Sequence, residues 1–403
     1  MTYDIFLSIC QTVVDGYKPS ERQMFENFFR QVRLADELDF ETAWVAETHL
    51  SCQTQKQTSN PVIPEFEGEI GLNTDILQMA HRIFSTTQNI HVGSAIRNIL
   101  CNGGPIAHAE AIRTFLMLHG LDPTETRRLN IGFASGRFEF SNRPYGIQPR
   151  SELEQVAWPV MKTKILQQAT EAFLRLLKGE QISGEDLRPI VFKKEDFRDL
   201  EMWQKAQALS GQDGNEISVP NFYDFEKVGV IPFEAPLDLL DLTIGTHDPM
   251  SQRLANEILP VGVFNLSITP PKVIEETHER MARDFHPDGG AWSRWRMPRT
   301  AMVFMENKVQ DPNLQSEKAK HKARSAWGNY WKAMQGTIDN EKVEKAVNNA
   351  LVGTPDQIAA QIREKYHPQD RLMLWFDFNN HDSSDVEKTM HRFMDEVRPQ
   401  LES

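Results

Sequence analysis

Arg128-Leu129-Asn130-Ile131-Gly132-Phe133-Ala134-Ser135-Gly136-Arg137 is the stretch on which the reading of this chain turns. It reads as a buried strand that runs out into small residues and an arginine. Glycine at a strand end lets backbone approach a ligand, because no Cβ stands in the way. An arginine just beyond can reach an anion. Three other segments have the same design, a short apolar run ending in small or polar residues: Thr42–Ala46 into Glu47-Thr48-His49, Ile90–Ala95 into Arg97-Asn98, and Leu239–Gly245 into Thr246-His247-Asp248.

Outward from these segments the chain alternates strands and helices. Tyr3–Cys10, Thr42–Ala46, Ile90–Ala95, Arg128–Ala134, Leu239–Gly245, Gly262–Leu266, Arg299–Met305 and Leu372–Phe376 read as strands. Helical spacing follows each, as in Met24, Phe25, Phe28, Phe29, Val32 and Ala35 after the Ser20 cap. Glu152–Leu177 reads as one long helix, and Leu314–Met334 carries Trp327, Tyr330 and Trp331. Parallel strands need helical crossovers, so the alternation predicts a parallel sheet. Eight such units predict an α/β fold, a (β/α)8 TIM barrel. The rhythm breaks between about residues 179 and 236, which read as an elaborated insertion between strands four and five with local hairpin structure. The whole chain, 1–403, is expected to be a single domain.

Composition fits an ordinary soluble protein that can bury a large core: 40% hydrophobic and 25% charged residues over 403 positions. A net charge of −13 argues against nucleic acid and against an anionic membrane surface, since both need a basic face. The N-terminus lacks the basic and apolar regions of a signal peptide. The three cysteines, Cys10, Cys52 and Cys101, are far apart and have no CxxC spacing. Both features point to a reducing cytoplasm and no structural zinc. No HxxxH, HExxH, GxGxxG or GxSxG pattern stands where it would carry chemistry, and no metal is expected.

In such barrels function sits at the C-terminal strand ends. Glu47 and His49 could serve there as a proton donor with its orienter, or as a structural pair closing the rim. Ser94 and Ala95 are small enough for a flat ring to lie against them. Thr246 and Ser251 flank a helix start, which reads either as a cap or as an anion site, with Asp248 opposing an anion.

Taken in order, these segments resemble the bacterial luciferase-like flavin-dependent monooxygenase family over nearly the whole chain. Glu47-Thr48-His49 looks like its Glu-His-His, and Val92–Ala95 resembles its third strand. Pro105–Glu110, Arg128–Arg137, Phe138-Glu139-Phe140 and Tyr145-Gly146-Ile147 continue the pattern, and Val352-Gly353-Thr354-Pro355 matches a motif before the last strand. The resemblance implies reduced FMN, supplied by a separate flavin reductase, or F420 in some branches. It implies O2, a small organic substrate oxygenated through a flavin C4a-peroxide, and a homodimer. The ring would lie against strand three, with a non-prolyl cis peptide at Ala95-Ile96. The phosphate would sit near Ser135, Gly136, Arg137, Thr246 and Ser251. His49 and Glu47 would be the catalytic pair. The alternatives are an F420-dependent dehydrogenase and a flavin-binding protein without turnover. Two departures stand out: Thr48 replaces the first histidine, and Ser135 replaces an arginine that Arg137, two residues on, would have to supply.

Overall fold

Alternation along the last strand shows how the protein is layered. The computed structural model describes residues 1–402. In it β1 (Thr2–Leu7), β2 (Thr42–Val45), β3 (His91–Asn98), β4 (Leu129–Ala134), β5 (Ile190–Lys193), β6 (Glu216–Val219), β7 (Leu240–Ile244), β8 (Gly262–Val263), β9 (Arg299–Phe304), β10 (Leu351–Val352) and β11 (Arg371–Trp375) follow in order. Leu372, Leu374 and Phe376 face outward, into the large apolar layer shared with the surrounding helices. Met373 and Trp375 face inward, against Phe6, Trp44 and Phe264. Successive residues of a strand point to opposite faces, so each strand feeds both layers.

Nine strands form one curled parallel sheet in the order β10-β9-β11-β1-β2-β3-β4-β7-β8. Just past β8, Asn265 bridges Arg299 in parallel. Asn265 N donates to Pro298 O at 3.0 Å and Thr300 N to Asn265 O at 3.1 Å, so β8 also meets β9. The inner face is plugged at its N-terminal end. Asp4 Oδ2 accepts from Trp44 Nε1 and from Arg371 Nε, each at 2.6 Å. Gly93 makes this plug feasible, because a Cβ there would stand 2.5 Å from Trp44 Cε3. The C-terminal end of the sheet is therefore the open mouth.

Three expectations are revised. The helix read as Glu152–Leu177 is broken into Glu152–Val156 and Trp158–Lys178, because Pro159 has no N–H to carry the first turn through. The region between residues 179 and 236 contains the expected hairpin, β5 with β6 antiparallel, but also a helix, Leu200–Ser210, whose buried face is only Trp203 and Ala206. Leu351–Val352 adds a short strand beside β9 that its two residues were too few to announce.

Candidate active site

The mouth has an apolar floor. Ala46, Ala95, Ile96 and Trp375, all partly buried, pack on the inner cluster of Phe6, Trp44, Phe264 and Met373. The Ala95–Ile96 peptide is cis, at the position the resemblance implied. The β3–β4 register shifts between Ser94 and Arg97, so Arg97 turns outward. Ser94 is fully buried, and its hydroxyl has no hydrogen-bond partner.

Glu47 and His49 meet, as their two-residue spacing suggested, and both are buried. Glu47 Oε1 pairs with His49 Nε2 at 3.2 Å. Glu47 Oε2 accepts from Arg97 Nη1 at 3.3 Å and from Ile76 N at 3.2 Å. Asn102 Nδ2 donates to His49 Nδ1 at 2.9 Å, which places the His49 proton on Nε2. Arg97 Nε donates to His108 Nδ1 at 2.8 Å, and His108 Nε2 donates to Cys101 O at 2.9 Å. Burial, and then the Arg97 guanidinium, push the His108 pKa down to about 3, so His108 is neutral. The chain His108–Arg97–Glu47–His49–Asn102 thus uses every polar atom it brings inside and fixes the residue that follows Ala95–Ile96. Sequence spacing could not show Arg97 as the hub, because Glu47 lies 50 positions away.

The strand-four segment divides its labour. Gly136 has φ +72°, and a Cβ there would meet Asn98 Nδ2 at 2.3 Å, so the turn requires glycine. Ser135 O accepts from Asn142 Nδ2 at 3.1 Å. Arg137 reaches across to the helix Pro312–Gln335 and donates to Tyr330 Oη at 3.3 Å, with its guanidinium 5.3 Å from the Phe138 ring centre. It pairs with no carboxylate among the described residues, so its charge is available to an anion. Past β7, Asp248 caps the helix Pro249–Asn256: its Oδ2 accepts from Ser251 N at 2.9 Å and Ser251 Oγ at 2.5 Å. Ser251 is fully buried, and Thr246 Oγ1 accepts from Asp248 N at 3.1 Å. The capping role is the one the geometry displays for both hydroxyls.

A roof covers the mouth. Cys52, Ile63 and Phe66 of the segment after β2 cluster with Phe138 and Phe140 after β4, and with Ala333 and Met334 of the Tyr330 helix. The aromatic helix reaches the floor through rings: Trp327 lies 4.7 Å from Phe378, and Phe378 lies 4.9 Å from Trp375. Two residues at the mouth gave no signal as motifs. Trp375 Nε1 and Asp377 Oδ1, just past β11, are sealed from water and lack any hydrogen-bond partner.

No family model matches the chain, and no curated protein matches it in sequence. Solved structures do. The monooxygenase RslO1 from Streptomyces bottropensis is 17% identical, with 99% of each chain covered and a TM-score of 0.67. The oxygenating constituent of 3,6-diketocamphane monooxygenase from the CAM plasmid of Pseudomonas putida, solved with FMN, is 13% identical at a TM-score of 0.58, with 99% of this chain and 98% of that one covered. The chain shares the fold of these monooxygenases. An F420-dependent secondary alcohol dehydrogenase, in complex with an F420–acetone adduct, has the same backbone plan: 13% identity, TM-score 0.57, covering 99% and 98%. Within this luciferase-like frame the chain keeps its own side chains. Thr48 donates its hydroxyl to Gly71 O at 3.0 Å, tying β2's end to the segment before the helix Ile76–Phe84. No helix among the described residues is long and apolar enough to cross a membrane, and no group of three metal-ligating side chains occurs among them.

Proposed function

We propose that this protein is a flavin-dependent monooxygenase that binds reduced FMN in the mouth of a closed eight-strand barrel, formed by residues 1–403 as one domain with an insertion at about 179–236. The observation that carries this reading is the apolar floor of Ala46, Ala95, Ile96 and Trp375, with an arginine that pairs with no carboxylate, Arg137, just past the end of the neighbouring strand β4. A planar, largely apolar ring with an anionic tail matches both features. Reduced flavin, when bound, supplies the electrons for O2 activation.

The chain's own residues hold, orient and exclude. Ala95 and Ile96 support the ring. Arg137, released from Tyr330, takes the phosphate beside Ser135 and Gly136, with the Thr246–Ser251 turn as the neighbouring wall. Glu47 and His49 act by holding Arg97 and the strand-three end. The roof keeps water from the reacting atoms. A separate reductase supplies the flavin, and the three free thiols fit a reducing cytoplasm. A homodimer forms through the groove of about 520 Å³ between the helices Ile76–Phe84 and Gly104–His119, lined by Leu77, Ala107, Ala111 and the exposed Leu118.

The test is an absorbance titration with FMN, reduced FMN and F420. Micromolar binding of reduced FMN supports the reading, and binding of none of the three overturns it. F420 stays in the comparison because an F420-dependent dehydrogenase shares the fold, at a TM-score of 0.57. Hydride transfer to F420 without oxygen uptake would select it. Flavin binding with neither activity would mark a protein without turnover.

A further inference from the structure

The inner face of β1 and β11 can be followed residue by residue. Asp4, Phe6 and Ser8 alternate inward along β1 and just beyond it; Arg371, Met373, Trp375 and Asp377 alternate inward along β11 and just beyond it. The bottom layer is fully bonded, through Asp4 with Arg371 and Trp44. The middle layer is apolar. The top layer is polar and short of partners. Asp377 Oδ2 has only Ser8, whose N and Oγ both stand at 3.4 Å, the outer limit of a hydrogen bond. Asp377 Oδ1 makes no well-formed hydrogen bond, and the Trp375 indole N–H, which makes none either, is close enough to the carboxyl to favour its charged form slightly. Across the mouth, past β7, His247 Nδ1 is buried and equally unpartnered.

We propose that Asp377 is a proton-donating acid of the mouth, and that with the Trp375 indole N–H it receives a neutral oxygen acceptor on the bound substrate. The proposal deepens the monooxygenase reading and rests on it for the reaction served. The Asp377 carboxyl donates a hydrogen bond to the neutral oxygen, passes its proton only as negative charge develops on that oxygen during reaction, and the resulting carboxylate takes up a proton from solvent once product has left. The groups facing Asp377 do not supply a competing charge. From β1's extension come Ser8 and the Cys10 thiol, which burial pushes up to about 11 and so keeps neutral. From β9 comes Glu306, whose charge is met by Lys322 Nζ at 3.3 Å. His247 is held toward its neutral form by burial. Without a cation, burial pushes the Asp377 carboxyl up to about 6.

The experiment uses the full chain without flavin and 2-acetylnaphthalene as a neutral carbonyl probe, read by tryptophan fluorescence. Wild-type affinity should fall about tenfold between pH 5 and pH 7, following the protonated fraction of a carboxyl that titrates near 6. Asp377→Asn, whose amide donates at every pH, should bind with no pH dependence. In thermal melts Asp377→Asn should be more stable than wild type at pH 7.5 and equal to it near pH 3.5, below the unfolded carboxyl value of about 3.9. The folded pKa is raised to about 6, so wild-type stability falls as pH rises from the unfolded value to the folded one and the cost is complete above it. Probe binding that ignores pH in the wild type overturns the proposal. So does an Asp377→Asn variant that is less stable at both pH values, because a merely structural aspartate behaves that way. FMN titration fails or succeeds independently of these readouts, so loss of the flavin reading and loss of this acid can be told apart.

Discussion

Glu47 and Asp377 occupy matching places, each the second residue past the end of a parallel strand, β2 and β11. Glu47 faces outward. There it meets Arg97 at 3.3 Å and His49 at 3.2 Å, and both of its oxygens are taken. Asp377 faces inward, where Ser8 at 3.4 Å is its one partner and no cation is near. The difference is one of strand parity. Val45 points to the helical layer and Trp375 to the mouth, and a residue two positions on inherits the direction. A buried carboxylate with a cation and a full set of bonds is scaffold. One kept without them is a standing cost, tolerated where a ligand will offset it.

The contrast breaks most visibly at Glu47. Glu47→Ala leaves Arg97 charged and buried without its acid, and should cost about 3–5 kcal/mol in urea unfolding. A loss under about 1 kcal/mol would mean that the outward network is no more structural than the inward carboxyl. The next effect belongs to His108, neutral with a pKa of about 3 in the folded chain. Its contribution is complete above the unfolded value near 6.5 and is lost as pH falls toward 3, at about 1.4 kcal/mol per pH unit in that window. His108→Gln should flatten part of the acid slope in melts. His278, lowered in the same direction to about 4 by burial, keeps the rest. A variant as acid-sensitive as wild type would remove His108 from the account.

Arg137 sharpens the comparison from the mouth side. Arg137→Ala should weaken FMN about tenfold, or about 1.4 kcal/mol, and leave riboflavin unchanged, because only the phosphate is lost. Equal weakening of both would assign the residue to the roof instead. The smallest effect is expected for Thr48→His. It removes one hydrogen bond to Gly71 O, worth about 1 kcal/mol, and should change the melting temperature by about one degree while flavin affinity stays the same. A gain in flavin affinity would place position 48 in the mouth after all.

Much of this was legible in the sequence, for identifiable reasons. The strands could be read because a run such as Leu372–Phe376 is apolar on both faces, as parallel strands buried on two sides tend to be, and Leu129, Ile131 and Phe133 alternate on one face of theirs. The contact between Glu47 and His49 could be read because residues two apart past a strand share a side. Pro159 was visible, yet a strong apolar period carried the reading of the helix across it. The hub at Arg97 and the open valences of Asp377 could not be read as motifs. Arg97 joins residues from separate strands and a helix. Asp377 has the local pattern of any aspartate between two phenylalanines, here Phe376 and Phe378. Counting parity from Arg371 is the one sequence operation that would have turned Asp377 inward.

The roof has a kinetic meaning. Cys52, Ile63, Phe66, Phe138, Phe140, Ala333 and Met334 come from three separate stretches of chain that meet by apolar contact. Below them, Trp44, Asp4 and Arg371 seal the other end. Under the proposed function, traffic to Ala95 passes this piece of polypeptide. The tempo of arrival and departure would then follow how often these side chains let go of one another, so the packing that keeps water out would also act as the clock of turnover.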